Sequence, residues 1–335
     1  MKRVEVSYMR VIAMIMVVLY HCFYQFATGY SMCVNLFPHI DVYEHFTKFL
    51  NSIDMPMFVF ASGYLFSYLK NQCHKYSDGK EFLLKKVKRL LLPFLLWAVV
   101  VDLLLYGEID PSHFLYPACH LWFLVMLMWC FVFVFITRFL WEKQSLWLNI
   151  CFCLAFSSIY FLLGGRGYLS SLLCMDSFLV YFPIFYLGVI WARFSIVERW
   201  AHLSKPLLWV TLTVFAVLIG FFTYNKFPLH SDLLARVLGV CLTLTLFQLL
   251  FVPSEKREEN CVSNKYISSL DASGMGIYIL HQIVIILLLN QSLIASFVKE
   301  HVVIGPVLLF CVVFLGCWSV VALINKTKLK FIFGM

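Results

Sequence analysis

Met9-Arg10-Val11-Ile12-Ala13-Met14-Ile15-Met16-Val17-Val18-Leu19-Tyr20-His21 opens an apolar stretch over residues 9–27, and this stretch decides the fold. A helix needs roughly 17 to 25 apolar residues to cross a hydrocarbon core. Blocks of that kind recur at 48–69, 90–106, 117–137, 146–163, 178–193, 207–223, 234–252, 274–290 and 302–324. They lack strand-like alternation, which excludes an outer-membrane barrel. Composition agrees. Of 335 residues, 62% are apolar and 13% charged, against about half and about a quarter in a soluble domain. The expected fold class is all-α: a polytopic integral membrane bundle of about ten transmembrane helices. A single membrane-embedded domain over residues 1–335 is expected, with no separate soluble domain.

Orientation follows from the basic residues, which accumulate in cytoplasmic loops. With the N-terminus inside, the inner segments hold Lys2, Arg3, Arg10, seven residues between Lys70 and Arg89, Arg138, Lys143, Arg193, Arg199, Lys205, Lys256, Arg257, Lys265, Lys326, Lys328 and Lys330. The outer segments keep Lys48, Arg166, Lys226, Arg236 and Lys299. Of 26 basic residues, 21 fall inside, so both termini are expected to be cytoplasmic. Met1-Lys2-Arg3 before the first span reads as the start of a retained signal anchor. Most of the twelve cysteines lie in apolar runs, without the spacing of a metal site. Gly164-Gly165-Arg166-Gly167 falls in an outer loop and reads as a turn rather than a phosphate cradle.

An ionisable group inside a span is costly and therefore a functional suspect. Arg10 and His21 lie eleven residues apart, so they share one helix face about 16 Å apart along the axis. The plain alternative is an anchoring arginine and a histidine bonded to a neighbouring helix. Lys86 and Arg89, just before Pro93, are spaced i, i+3 at the cytoplasmic mouth. They suit a polyphosphate ligand, and they also serve as a positive-inside signal. Ser62-Gly63 is a close-approach step for helices, and Trp122 fits an interfacial belt. Tyr278 and His281, again i, i+3, can face one polar pocket near mid-membrane.

Taken in order, these segments resemble the acyltransferase-3 family of membrane acyl-CoA-dependent transferases. Arg10 and His21 meet the family's Arg, ten residues, His spacing. Phe58 to Tyr64 resembles its apolar-Phe run ending in Ser-Gly-Tyr. Lys86-Val87-Lys88-Arg89 with Pro93 stands where the family has Arg-x-x-Arg and proline, with lysine replacing one arginine. The likeness continues through 121–124, Tyr181–Gly188 and Tyr278–His281, and so covers nearly the whole chain.

The resemblance implies transfer of an acyl group, usually acetyl, from cytoplasmic acyl-CoA to a hydroxyl of an envelope glycan or glycolipid, in the inner membrane. It makes His21 the expected catalytic base, with Arg10, Lys86 and Arg89 binding the coenzyme A phosphates. Ser62, Trp122, Tyr278 and His281 are expected in the pocket or on the acceptor side. The implied partners are acyl-CoA, the acceptor and the bilayer. No nucleic acid, metal or permanently bound cofactor is expected. The competing classes are a polar-substrate transporter and a non-catalytic partner in a glycan-synthesis complex. No internal repeat supports the first, and the second leaves Arg10 and His21 without a purpose.

Charge placement generates a topological prediction. Reporter fusions after Lys75 and Arg199 should read cytoplasmic and one after Glu108 external; the reversed pattern would overturn the orientation.

Overall fold

The computed structural model describes residues 3–27, 37–75, 79–142, 145–163, 172–225, 231–251 and 265–334. Gly164-Gly165-Arg166-Gly167 and the inner loop residues 253–264 lie outside these. Among the described residues helix is the regular structure, and no strand occurs. We label the principal helices α1 (Val4–Tyr24), α2 (Asp41–Asn51), α3 (Asp54–Asn71) and α4 (Gly79–Tyr106). Then come α5 (Trp122–Ile136), α6 (Leu146–Leu163), α7 (Met175–Arg193) and α8 (Lys205–Tyr224). The last are α9 (Ser231–Leu250), α10 (Lys265–Leu289), α11 (Ser292–Glu300) and α12 (Ile304–Ile324). The chain is a polytopic helical membrane protein.

Among the described residues, seven helices are long and apolar enough to cross a membrane. They are α1, α4, α5, α7, α8, α10 and α12, with α5 and α7 each extended by preceding turns. The sequence points to three more crossings, at α3, α6 and α9. These contain 18, 18 and 20 residues, which at 1.5 Å per residue is about 27–30 Å, close to the hydrocarbon thickness.

The chain divides into two compact units, residues 1–58 with 200–326 and residues 59–199 with 327–335. In the first, α1 packs against α2, α10 and α12, and α8 packs against α9. Arg10 of α1 meets Asp271 of α10, and His21 meets His281 further along both helices. The two helices therefore run parallel. Trp318 Nε1 near the end of α12 donates to Ser269 Oγ near the start of α10, so α12 runs the other way. The beginning of α1 and the end of α12 consequently share one end of this unit. Parallel packing also bears on the count. With seven crossings α10 would be the sixth and antiparallel to α1; with α3, α6 and α9 added it is the ninth and parallel.

In the second unit, Gly63 of α3 faces the backbone of Phe185 on α7, and Gly188 of α7 faces the Phe60 carbonyl. A Cβ at either position would collide with that backbone, so these glycines set how closely the helices approach. Phe133, Phe156 and Phe182 of α5, α6 and α7 pack ring to ring at centroid distances of 4.7–5.4 Å. A buried amide in that layer, Asn149, accepts from the Tyr186 hydroxyl at 2.6 Å and donates to the Ser145 carbonyl at 2.7 Å. Lipid offers no such partners.

Pro93 interrupts α4. It has no N–H to offer the Arg89 carbonyl four residues earlier, and the helix widens to a π turn over Val87–Leu91, where Leu92 N–H reaches the Val87 carbonyl. Gly334, at φ +70, closes against the Arg89 carbonyl where any Cβ would collide. The C-terminal turn Lys328–Phe333 is anchored beside it by Trp97 Nε1, which donates to the Ile332 carbonyl at 2.9 Å.

The glycine contacts are testable. Gly63→Val should destabilise the purified protein by at least about 1–3 kcal/mol through overpacking. Gly220→Val, whose Cβ meets nothing within 4 Å, should leave the thermal midpoint unchanged. Equal midpoints would contradict the packing described.

Candidate active site

The polar residues of α1 sit on a helix otherwise rich in Val, Ile and Met, so each must find its partner within the protein. Glu5 pairs with Arg3, and the α10 helix supplies partners to Ser7, Arg10 and His21 in two rungs. At the first, Asp271 Oδ1 lies 3.1 Å from Arg10 Nη1. The Ser7 hydroxyl donates to Asp271 Oδ2 at 2.9 Å. Asp271 is 7% exposed and Arg10 21%, so the pair is largely withdrawn from water. A guanidinium carries five donors, and here one of its nitrogens lies against the carboxylate.

The second rung lies about 16 Å along the helix axis. His21 Nδ1 is 2.9 Å from the Val17 carbonyl and 3.3 Å from His281 Nε2. His281 is fully buried, and its Nδ1 lies 2.6 Å from the Tyr278 carbonyl. For neutral imidazoles these contacts assign the protons. A carbonyl only accepts, so His281 carries its proton on Nδ1 and turns the Nε2 lone pair toward His21. His21 Nδ1 must then donate, shared between Val17 and His281. The Nε2 lone pair of His21 remains for another proton. The Tyr278 ring stands 5.7 Å from that of His281, and the Tyr20 ring meets His21 edge-on at 4.8 Å.

Arg10, His21, Tyr278 and His281 are thus brought together on one pair of helices. Lys86, Arg89, Ser62 and Trp122 belong to the other unit. There the π turn interrupts the α-helical register expected between Lys86 and Arg89. Lys86 Nζ lies over the Phe131 ring at 3.7 Å, a cation–π contact, whereas Arg89 is exposed. Trp122 stacks on Tyr181 at 5.8 Å, and Ser62 is half-buried beside the Gly63 contact. For a metal, His39, Asp41 and Glu44 bring one ligand atom each within 4.8 Å of one another at the start of α2. Glu44 is already paired with Lys48 at 2.8 Å.

Asp271 and Ser7 are absent from the residues that the sequence singles out. The ninth apolar span runs from residue 274, which leaves Asp271 in the inner loop, whereas α10 begins at Lys265. A signal is present all the same: Asp271 precedes His281 by ten residues, much as Arg10 precedes His21 by eleven.

A family model described as an acyltransferase domain matches residues 3–324. No curated protein and no solved structure matches the chain.

The first rung predicts a double-mutant result. Removing one partner of a buried ion pair costs about 3–5 kcal/mol, while replacing both with apolar residues is often neutral. Asp271→Ala should therefore lower the thermal midpoint more than Arg10→Met/Asp271→Leu. The opposite order would show that the pair contributes little.

Proposed function

The chain belongs to the acyltransferase-3 family and is a membrane acyltransferase, and from that premise we propose that it moves an acetyl group from cytoplasmic acetyl-CoA to a hydroxyl of an envelope glycan. The observation that supports this reading is the contact of His21 Nδ1 with Val17 and His281, which in a neutral imidazole puts the proton on Nδ1 and turns Nε2 into the acceptor. A neutral imidazole is a suitable general base near neutral pH.

In the proposed reaction, His21 Nε2 takes the proton of the acceptor hydroxyl as its oxygen attacks the thioester carbonyl. The carbon–sulfur bond breaks as the new ester forms. The departing coenzyme A thiolate then takes that proton from the imidazolium. His281 acts through His21: its Nε2 lone pair faces the Nδ1–H and stabilises the positive charge while His21 holds both protons. Arg10, held by Asp271, offers its guanidinium to the donor phosphates; the family resemblance gives Lys86 and Arg89 the same ligand. Lysine at 86 gives a point charge rather than a bidentate fork, so Lys86→Arg should be tolerated. Coenzyme A is negatively charged, and the basic excess of the inner loops supports a cytoplasmic donor side.

The test uses purified protein, labelled acetyl-CoA and a panel of envelope glycans. His21→Gln keeps a hydrogen-bonding side chain but offers no usable base. It should lower transfer by about 10²–10⁴-fold while coenzyme A affinity stays near wild type. Near-normal transfer by His21→Gln would remove His21 as base. Label left on the protein when acceptor is omitted would replace direct attack with an acyl-histidine intermediate.

Donor binding is a separate prediction. Lys86→Ala/Arg89→Ala should weaken coenzyme A binding, each lost charge-assisted contact costing about 1.5–3 kcal/mol. Unchanged affinity would leave the pair as a topology signal alone.

A further inference from the structure

A cavity of about 210 Å³ opens beside the second rung, within the unit formed by residues 1–58 and 200–326. Its walls include Tyr20, Tyr24, Glu44, Lys48, Asn51 and Arg236. Tyr20 stacks on Tyr24 at 4.8 Å and 27°, giving one wall a continuous aromatic face. The same Tyr20 ring touches His21 edge-on, so the cavity lies one aromatic ring from the proposed base. By the distribution of basic residues this is the outer half of α1, opposite the Arg10 rung.

We propose that this cavity is the acceptor subsite and that it takes a single sugar ring bearing an anionic group, a carboxylate or a phosphate. The proposal rests on the acyltransferase reading and names the substrate class it lacks. Size comes first. Sites for drug-sized ligands occupy about 300–1,000 Å³, so this volume suits one ring. Shape comes second. The apolar face of a pyranose lies flat on an aromatic wall, while its hydroxyls meet polar groups such as the Asn51 amide.

Charge comes third. Among the described lining residues the one carboxylate, Glu44, is held by Lys48 at 2.8 Å, and the Arg236 guanidinium carries the net charge. A planar guanidinium matches a carboxylate or phosphate in bidentate fashion. Arg236 is placed by α9, and Gly239, one turn further on, abuts the Ser52 carbonyl, where a Cβ would collide. That contact keeps α9 against the end of α2 and fixes Arg236 at the cavity wall.

The experiment is equilibrium binding to the purified full chain in lipid nanodiscs. The probes are methyl β-glucuronide, glucose 1-phosphate and methyl β-glucoside, with coenzyme A measured separately. One or both anionic probes should bind at least about tenfold tighter than the neutral glucoside, the contribution of about one charge-assisted contact. Tighter glucuronide identifies a uronic acid and tighter phosphate a phosphosugar. Arg236→Gln should abolish the preference, Arg236→Lys should keep part of it, and Tyr24→Ala should weaken all three probes. Coenzyme A affinity should be unaltered in each variant. Equal binding of the three probes, or a preference that survives Arg236→Gln, overturns the proposal. Loss of coenzyme A binding by the wild-type protein would instead overturn the acyltransferase reading, whatever the sugars do.

Discussion

A helix that crosses lipid must satisfy every polar group it carries from within the protein, because the hydrocarbon offers no partner. In this chain that constraint joins α1 to α10. Arg10 is matched by Asp271, and His21 by His281, on two helices that run parallel. Parallel packing requires an odd number of crossings between them, which the four long apolar helices reach only with α3, α6 and α9 added. The same contact orders the proton positions on both imidazoles. Topology, burial and the state of the suspected base therefore follow from a single pairing of helices.

Much of this is legible in the amino-acid sequence. Spans of sufficient length, the eleven-residue step from Arg10 to His21, and the Tyr278–His281 pair all stand out, because ionisable groups are rare in apolar runs. Partners are harder to see. Asp271 sits near the start of its helix, where an apolar window has already faded into the polar loop, so its membrane role is hidden from hydropathy. The π turn at Val87–Leu91 is equally hidden. Proline announces a break, but whether the helix stops, kinks or widens depends on how its neighbours pack, and here Gly334 closes against the Arg89 carbonyl.

Small residues tell a similar story. Ser62-Gly63 suggests either a pocket or a close approach, and the Gly63 contact with Phe185 is a close approach. Lys86 likewise rests on the Phe131 ring, so its charge is partly engaged by the protein itself. In the proposed reaction a donor phosphate at Lys86 would compete with that ring, whereas Arg89 is exposed.

In the proposed reaction His21 holds its proton on Nδ1, with Nε2 bare. Solid-state ¹⁵N NMR of histidine-labelled protein in lipid reads this directly, with the His21 signals assigned by their loss in His21→Gln. The expected result is a neutral His21 whose Nδ1 carries the proton and whose Nε2 is unprotonated. A proton on Nε2 with Nδ1 bare would contradict it, since His21 could then neither donate to His281 nor act as the proposed base.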